Sequence, residues 1–186
     1  MDRKIHNKSL LEKFVEDFVN IVEKYCKYII VSGFVAITHG RTRGTEDVDM
    51  IIEKLEEFKF TQLLEDIIKI YFICVESDNP KEIYEYLKDN ISVRYVKKNT
   101  FVPEMELKFA KDYLDEYQIK TRKMLPMSGL SIYFSSIEAN IAFKEELLRS
   151  EKDLEDAKHL REIYSDKINK DEIEKIKGEI RRLRLK

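Results

Sequence analysis

The chain has 186 residues, which at roughly 150 residues per domain favours one domain, or one domain with a helical extension. Its 34 Lys and Arg against 36 Asp and Glu give a formal net charge of −2. This balance excludes a protein whose whole surface clamps nucleic acid, although it allows a local basic patch. Hydrophobic residues make up 43%, which excludes global disorder.

The composition also indicates the environment of the protein. Charged residues make up 38% and Gln occurs twice, a balance typical of heat-adapted proteins, although an AT-rich genome also enriches Lys, Ile and Glu. Cys26 and Cys74 lie in apolar segments without a partner at metal-ligand spacing, so we expect both to be reduced. No stretch approaches ~18 apolar residues, which predicts a soluble, cytoplasmic protein.

Helices and strands alternate in the first part of the chain. Ser9 and Glu12 form a capping box, which predicts a helix over about 9–26. The β-branched run at 28–31 predicts a buried strand, and Ser32-Gly33 then turns the chain into a short helix that Gly40 ends. Further helices are expected at 55–69 and 81–89, and further strands at 47–52, 70–75, 91–96 and 104–109.

The second part of the chain is mainly helical. Residues 110–129 give no clear pattern, and 130–134 predict a last strand. Three helices follow, the second with an inward stripe of Leu154, Ala157, Leu160 and Tyr164, and the third with Ile173, Ile176, Ile180 and Leu183 inward. We therefore predict an α+β (α/β-like) fold, with a mixed sheet in a core over 1–134 and a helical segment over 135–186 packed on it as part of a single domain.

Asp47 and Asp49 begin a predicted strand and give the strongest chemical signal. Two residues apart in extended chain, their side chains share one face about 7 Å apart, whereas Val48 and Met50 point to the other face. Neighbouring carboxylates repel unless they are solvated or bridged by a cation, and hard oxygen ligands suit Mg²⁺. A solvated strand edge is the alternative interpretation.

The surroundings of this pair favour phosphate chemistry. The turn at Ser32-Gly33 offers backbone N–H groups, and its small residues allow a phosphate to approach, although Gly33 can equally just end a strand. An anion cradle beside a divalent cation is the arrangement that triphosphate chemistry needs. Phosphatases with an Asp nucleophile carry their Asp-x-Asp at the exit of a strand, so the position of Asp47 at the strand's beginning disfavours that class.

These residues resemble a known family. Gly33, followed by Arg43-x-Thr45-x-Asp47-Val-Asp49, is similar to the signature of the nucleotidyltransferase superfamily, and in its spacing to the small prokaryotic branch of minimal and abortive-infection-type enzymes. Segments 135–144 and 152–160 resemble two helical motifs of that branch, so the resemblance covers about residues 28–162. Ser32 stands where the first glycine of the signature usually lies.

The resemblance implies roles for the residues of the motif. Ser32 and Gly33 would hold the β- and γ-phosphates of an NTP, and Asp47 and Asp49 would hold Mg²⁺ (or Mn²⁺). A third carboxylate is implied on a neighbouring strand and would also bind metal and help to deprotonate the acceptor. Glu106, in the middle of its strand, is preferred for that role.

Other candidates carry open alternatives. Glu104 is the second choice for the third carboxylate, and a solvated edge is possible for both glutamates. Arg43 can contact phosphate or pair with Glu46, and Thr45 can touch substrate or shape the turn. Lys144 can reach a phosphate or face solvent. Asp153 and Asp156 are interpreted as helix-start charges, and the basic end at 181–186 as a solvated helix end able to bind RNA weakly.

Two functions of different classes follow from the resemblance. The first is a Mg²⁺-dependent nucleotidyltransferase that moves an NMP from an NTP to an acceptor hydroxyl on a small molecule, a protein or an RNA. The second is a non-catalytic or regulatory module of a toxin–antitoxin or defence pair, which binds a partner protein or RNA. Neither function involves a membrane.

Overall fold

The computed structural model describes residues 9–42 and 44–185, so the candidate Arg43 lies outside the described residues. The helices are α1 (Leu10–Val22), α2 (Gly33–Thr38), α3 (Glu57–Lys69), α4 (Pro80–Lys88), α5 (Tyr113–Lys120), α6 (Ile137–Phe143), α7 (Glu151–Ile163) and α8 (Lys170–Arg184). The strands are β1 (Tyr28–Val31), β2 (Asp47–Ile52), β3 (Phe72–Cys74), β4 (Val93–Lys97), β5 (Glu104–Phe109), β6 (Lys123–Met124) and β7 (Tyr133–Phe134). A 3₁₀ turn (Pro126–Ser128) follows β6, and a π-helical turn (Lys144–Leu148) continues α6.

The strands form one mixed seven-stranded sheet in the order β3-β4-β5-β2-β1-β7-β6. The β2–β5 and β1–β7 pairs are parallel, and the other pairs are antiparallel. The predicted α+β class with a mixed sheet is confirmed. No helix in the described part of the chain is long and apolar enough to cross a membrane.

Polar side chains cap most of the helices. An Asn, Asp or Ser oxygen accepts a backbone N–H of the first turn, which satisfies a group that has no partner within the helix. The residues that do so are Ser9, Asn79, Asp112, Ser136, Ser150 and Asn169. Two of these caps, Ser136 and Ser150, begin the helices on either side of the π-helical turn that carries Lys144.

The two faces of the sheet differ in chemistry. Alternate residues of β2 and β5 enter the main core, where they meet the aromatic side chains of α1 and of the neighbouring strands; they are Val48, Met50, Ile52, Met105, Leu107 and Phe109. A smaller cluster of Ile29, Ile51, Ala110 and Ile119 covers part of the opposite face beneath α5. The rest of that second face, at the beginning of β2, is left to polar residues.

The structure differs from the sequence predictions at several places. Helix α1 ends at Val22 rather than near 26, because the backbone N–H groups of Lys24 and Tyr25 bond three residues back and tighten the chain into a turn. Strand β7 has two residues instead of five, because the Ser128 hydroxyl and its backbone neighbours form a turn over 125–130.

The inward face of α7 was also predicted partly wrongly. Leu154 is 46% exposed, whereas Asp156, interpreted from the sequence as a helix-start charge, is buried beside Ala157 and Leu160. Leu183 of α8 is 38% exposed, although the other predicted core residues of that helix are buried. Helix α5, which the sequence did not predict, begins at an Asp112 side chain that accepts two backbone N–H groups.

Candidate functional site

The register of β2 and β5 brings four carboxylates to one edge of the sheet. Asp47 lies opposite Glu104, and Asp49 lies opposite Glu106, on parallel neighbouring strands. Strands that pair in this way lie about 4.8 Å apart, so Asp49 and Glu106 are direct neighbours and Asp47 is one side-chain position along the same face. The structure therefore places Glu106, the preferred third carboxylate, beside the Asp pair.

The environment of Asp49 disfavours its charged form. Burial raises the pKa of this carboxyl above its usual value, and the negative charges of Glu106 and Asp47 raise the pKa further. The Ser32 hydroxyl and the Lys108 ammonium act in the opposite direction, but the pKa remains raised. A cation bound between these carboxylates would remove that penalty, since it screens their repulsion and favours the ionised form.

Glu104 is the weaker candidate for the third carboxylate. One of its oxygens lies 3.7 Å from the Arg94 guanidinium, which is also held 2.8 Å from Glu76. A carboxylate beside a guanidinium is already partly neutralised and is therefore a poorer ligand for a cation. Glu106 has no such ion pair within residues 9–42 and 44–185.

Carboxylate oxygens are suitable ligands for Mg²⁺, but in this structure the described carboxylates are not arranged as a preformed metal site. Among the described residues, no three His, Cys, Asp or Glu side chains are grouped so that they could hold one ion. Mg²⁺ is commonly held by one or two carboxylates together with waters and substrate phosphates. Asp49 together with Asp47 or Glu106 would be sufficient to bind Mg²⁺ in this way, with waters and substrate phosphates as the remaining ligands.

The Ser32-Gly33 turn lies directly beside Asp49. Val31 pairs with Asp49 across the β1–β2 ladder, so the chain turns from β1 into α2 next to this carboxylate. Ser32 has φ 66° and ψ −137°, a conformation that L-residues rarely adopt and that glycine adopts without cost. The turn therefore holds a serine, with a hydroxyl aimed at Asp49, in a backbone conformation suited to glycine.

Ser32→Gly is expected to raise the free energy of unfolding by about 1 kcal/mol, because it relieves the left-handed backbone strain. Ser32→Ala keeps the strain and loses the hydroxyl, so it is expected to be less stable than both Ser32→Gly and the wild type. Urea unfolding of the wild type and the two variants measures their free energies of unfolding and so the order of their stabilities. If the alanine variant is as stable as the glycine variant, backbone strain does not explain this position.

A cavity of about 120 Å³ adjoins these residues on the second face of the sheet. Its polar lining comes from six separate parts of the chain, and includes Ser32, Asp49, Lys108, Asp115, Gln118, Asn140, Lys144 and Arg184. Pockets for whole small molecules usually measure about 300–1,000 Å³. The space near Asp49 can therefore take phosphate groups, while the rest of a nucleotide would lie outside it.

Lys144 lines this cavity but is held by two carboxylates. Its side chain is 1% exposed, and its Nζ lies 3.1 Å from Asp153 and 2.9 Å from Asp156. Asp156, which is fully buried, also accepts from the Arg41 guanidinium at 3.2 Å. The interpretation of Asp156 as a helix-start charge is wrong, because this residue lies beyond the first turn of α7 and neutralises Lys144 in the interior. Asp153 does lie in that first turn, and it also pairs with Lys144.

The polar crossover between α2 and β2 is tied to the helical segment. Arg41, which the sequence analysis did not single out, also pairs with Glu155 on α7. His159 of α7 lies 3.0 Å from the His39 carbonyl through its Nε2, so these histidines hold the crossover. Thr45 donates its hydroxyl to the Asp47 carbonyl at 2.9 Å, as expected of a residue that shapes the turn.

Several lining residues were not found from the sequence. Asp115, Gln118, Asn140 and Arg184 carry no motif, and only the Asp112-x-x-Asp115 pattern at the start of α5 resembled a helix cap. Arg184 is not part of a solvated helix end, because its guanidinium is bonded at 2.8 Å to Asp112 and to Asp115. Helix α8 thus closes one side of the cavity.

Solved structures similar to this chain are nucleotidyltransferase-like. An antigenic nucleotidyltransferase-like protein from Paracoccidioides brasiliensis matches with a TM-score of 0.54 at 18% identity, covering 94% of this chain and 88% of that chain. The antibiotic-resistance factor ANT(2'')-Ia matches with a TM-score of 0.55 at 12% identity, covering 92% of this chain and 91% of that chain. No protein-family model and no curated protein matches the sequence. The chain has a nucleotidyltransferase-like fold.

Proposed function

We propose that this chain, whose fold is nucleotidyltransferase-like, is a Mg²⁺-dependent nucleotidyltransferase that moves an NMP from an NTP to an acceptor hydroxyl. The observation that carries the proposal is the register of β2 and β5, which puts Asp49 beside Glu106 and next to the Ser32-Gly33 turn. A fold alone does not define a function, but this placement of acids and turn is what the chemistry needs.

Each residue of the site has a role in the proposed reaction. Asp47 and Asp49 would hold Mg²⁺, with Glu106 as a further ligand, and the ion would neutralise charge on the triphosphate. The backbone N–H groups of Ser32 and Gly33 would orient the β- and γ-phosphates. The acceptor oxygen attacks the α-phosphorus as the bond to the bridging oxygen breaks and pyrophosphate leaves. Glu106 accepts the proton of the acceptor hydroxyl.

Lys144 lines the cavity and is a candidate phosphate ligand in the proposed reaction. In the described arrangement its charge is balanced by Asp153 and Asp156, so it reaches a phosphate only if one of these pairs loosens. Asp153 is the partner more easily exchanged, because it is partly exposed whereas Asp156 is fully buried. Arg43 remains a candidate phosphate ligand outside the described residues.

Transfer of label from each α-³²P NTP into an extract of the source cells tests the proposal. We expect one or more NTPs to label a discrete protein, RNA or small-molecule product with Mg²⁺ or Mn²⁺, and EDTA to abolish the label. The class of the labelled product identifies the acceptor. Absence of label under all conditions, from protein that is folded by circular dichroism, would contradict the proposed activity.

A second candidate function is a non-catalytic module of a toxin–antitoxin or defence pair. Two features favour this second function: the cavity is small, and the described carboxylates do not form a preformed metal site. A site that only binds phosphate does not need such a metal centre. This candidate predicts Mg·NTP binding, seen as a thermal shift, without pyrophosphate release. Recovery of the chain in a stable complex with a partner protein or RNA would support it further.

A further inference from the structure

A separate basic groove lies away from the cavity near Asp49. It consists of two adjoining cavities of about 590 and 530 Å³, which share Tyr25, Lys27 and Glu53 in their linings. We call it the basic groove, and its cationic side chains are Lys24, Lys27, Lys54, Lys59, Lys120 and Arg122. None of the residues that line the cavity near Asp49 lines the basic groove.

The charges of the basic groove are only partly balanced. Six cationic side chains face three acidic ones, which are Glu23, Glu53 and Glu116. The single ion pair described among these residues joins Lys27 and Glu53 at 3.8 Å. Lys24, Lys54, Lys59 and Lys120 make no side-chain hydrogen bond or ion pair within residues 9–42 and 44–185. The arginines of α8, by contrast, are paired with acids: Arg181 with Glu146, Arg182 with Glu179, and Arg184 with Asp112.

Arg122 is the second observation that indicates an anionic ligand. Its guanidinium carbon lies 4.3 Å from the centre of the Tyr133 ring, so the group is fixed over an aromatic face. Its Nη1 is buried and has no hydrogen-bond acceptor among the described residues. A buried N–H donor without an acceptor costs free energy, and a phosphate oxygen would recover it if the Arg122 side chain turned toward the groove.

The position of the groove is set by the far ends of β1 and β2. Lys27 directly precedes β1, and Glu53 and Lys54 directly follow β2, whereas Asp47 begins β2 at the other edge of the sheet. Asp49 and Glu53 are four residues apart in extended chain, a span of about 13 Å. A ligand in the groove is therefore near the cavity beside Asp49 but does not occupy it.

We propose that the basic groove binds the phosphate backbone of a single-stranded nucleic acid. Unpaired lysines placed along a groove that Tyr25 also lines are the combination that single-strand binding uses: cations for the phosphates and an aromatic ring for a base. Arg122 lines the same groove and adds a guanidinium charge, which suits phosphate recognition. This binding is independent of the proposed transferase activity and needs no divalent metal.

Fluorescence anisotropy with a labelled 12-nucleotide oligouridylate in EDTA tests the proposal. The double reversal Lys59→Glu/Lys120→Glu is compared with Lys81→Glu/Lys98→Glu, two exposed lysines outside the groove that change the net charge equally. Each phosphate contact with a single strand contributes about 0.7 to the slope of log K against log salt. Loss of two contacts is therefore expected to weaken binding ~25-fold at 0.1 M salt and to reduce the slope by about 1.4.

The outcomes separate a specific groove from general charge attraction. The proposal is supported if the groove variant loses affinity as stated while the control variant stays within about twofold of the wild type. It is overturned if both variants weaken equally, if the wild type shows no binding at ~100 µM protein, or if a poly-glutamate peptide of equal charge competes as well as the oligonucleotide. Thermal unfolding of each variant confirms that the compared proteins are folded.

Discussion

Asp49→Asn is expected to reduce nucleotidyl transfer by about 10³-fold or more while the fold is retained. The amide cannot hold a divalent cation as the carboxylate does, and loss of metal-based charge neutralisation costs several kcal/mol in the transition state, each 1.36 kcal/mol being a factor of ten. Label transfer from α-³²P NTP at saturating Mg²⁺ measures the rate. Retained transfer within tenfold of the wild type would exclude Asp49 as a metal ligand in the reaction.

The same variant is expected to be more stable than the wild type without metal at pH 7. Because the folded-state pKa of Asp49 is raised, the native state binds its proton more tightly than the unfolded state does. The charged carboxylate therefore lowers stability above the folded-state pKa, and this penalty disappears as pH falls below the unfolded value. Asp49→Asn removes the penalty, so its gain in Tm should be present at pH 7 and absent at pH 3.

Metal dependence provides the internal control for this variant. Mg²⁺ with NTP is expected to raise the Tm of the wild type and to leave that of Asp49→Asn unchanged, because binding to the native state alone stabilises it. Asp78→Asn changes an exposed carboxylate that neither lines the cavity nor belongs to β2 or β5, so it is the matched control and should behave as the wild type in every assay. An equal metal response of all three proteins would place the cation elsewhere.

Lys144→Met is expected to destabilise the protein by about 2–4 kcal/mol. It removes a buried ammonium that neutralises Asp153 and Asp156, and leaves the fully buried Asp156 with fewer cationic partners. For a domain of this size, this corresponds to a fall in Tm of roughly 4–16 °C. Lys152→Met, which changes an exposed lysine eight positions along the chain, is the control and should change Tm by less than about 2 °C.

A double variant tests the contribution of charge imbalance. Lys144→Met/Asp156→Asn removes one charge of each sign, so it is expected to recover part of the stability lost in Lys144→Met. No recovery would mean that the lost pair with Asp153, or the Arg41–Asp156 pair that the second substitution also removes, outweighs the relief of the buried charge. Measured at a temperature where both are folded, label transfer by Lys144→Met then shows whether the lysine also acts on the nucleotide.

Local signals in the sequence were sufficient for most of the fold. Capping residues such as Ser9 and Asn169 mark helix starts, and the alternation of Met105, Leu107 and Phe109 marks a strand with one buried face. Segment 110–129 could not be assigned, because α5 is short and two of its four buried residues, Asp115 and Gln118, are polar. Its hydrophobic pattern is weak for that reason.

The candidate site was only partly predictable, because a motif identifies residues that are close in the chain but not those brought together by packing. Asp47, Asp49 and the turn at Ser32 lie within twenty residues, so a motif could identify them, and alternation put Glu106 on the polar face of its strand. The motif could not show that Lys144 is buried between Asp153 and Asp156, since that depends on how α6 and α7 pack. Nor could it indicate Asp115 or Arg184.

The sequence by itself determined the mixed α+β class, the acidic pair at the beginning of β2 and the preference for Glu106. These depend on side-chain periodicity and turn chemistry, which act over a few residues. Only the tertiary structure decided the register that sets Asp49 against Glu106, the neutralisation of Lys144 and the gathering of lysines from four segments into the basic groove. Such contacts join residues distant in the chain, and the free energy that selects them comes from packing and burial, which no local pattern encodes.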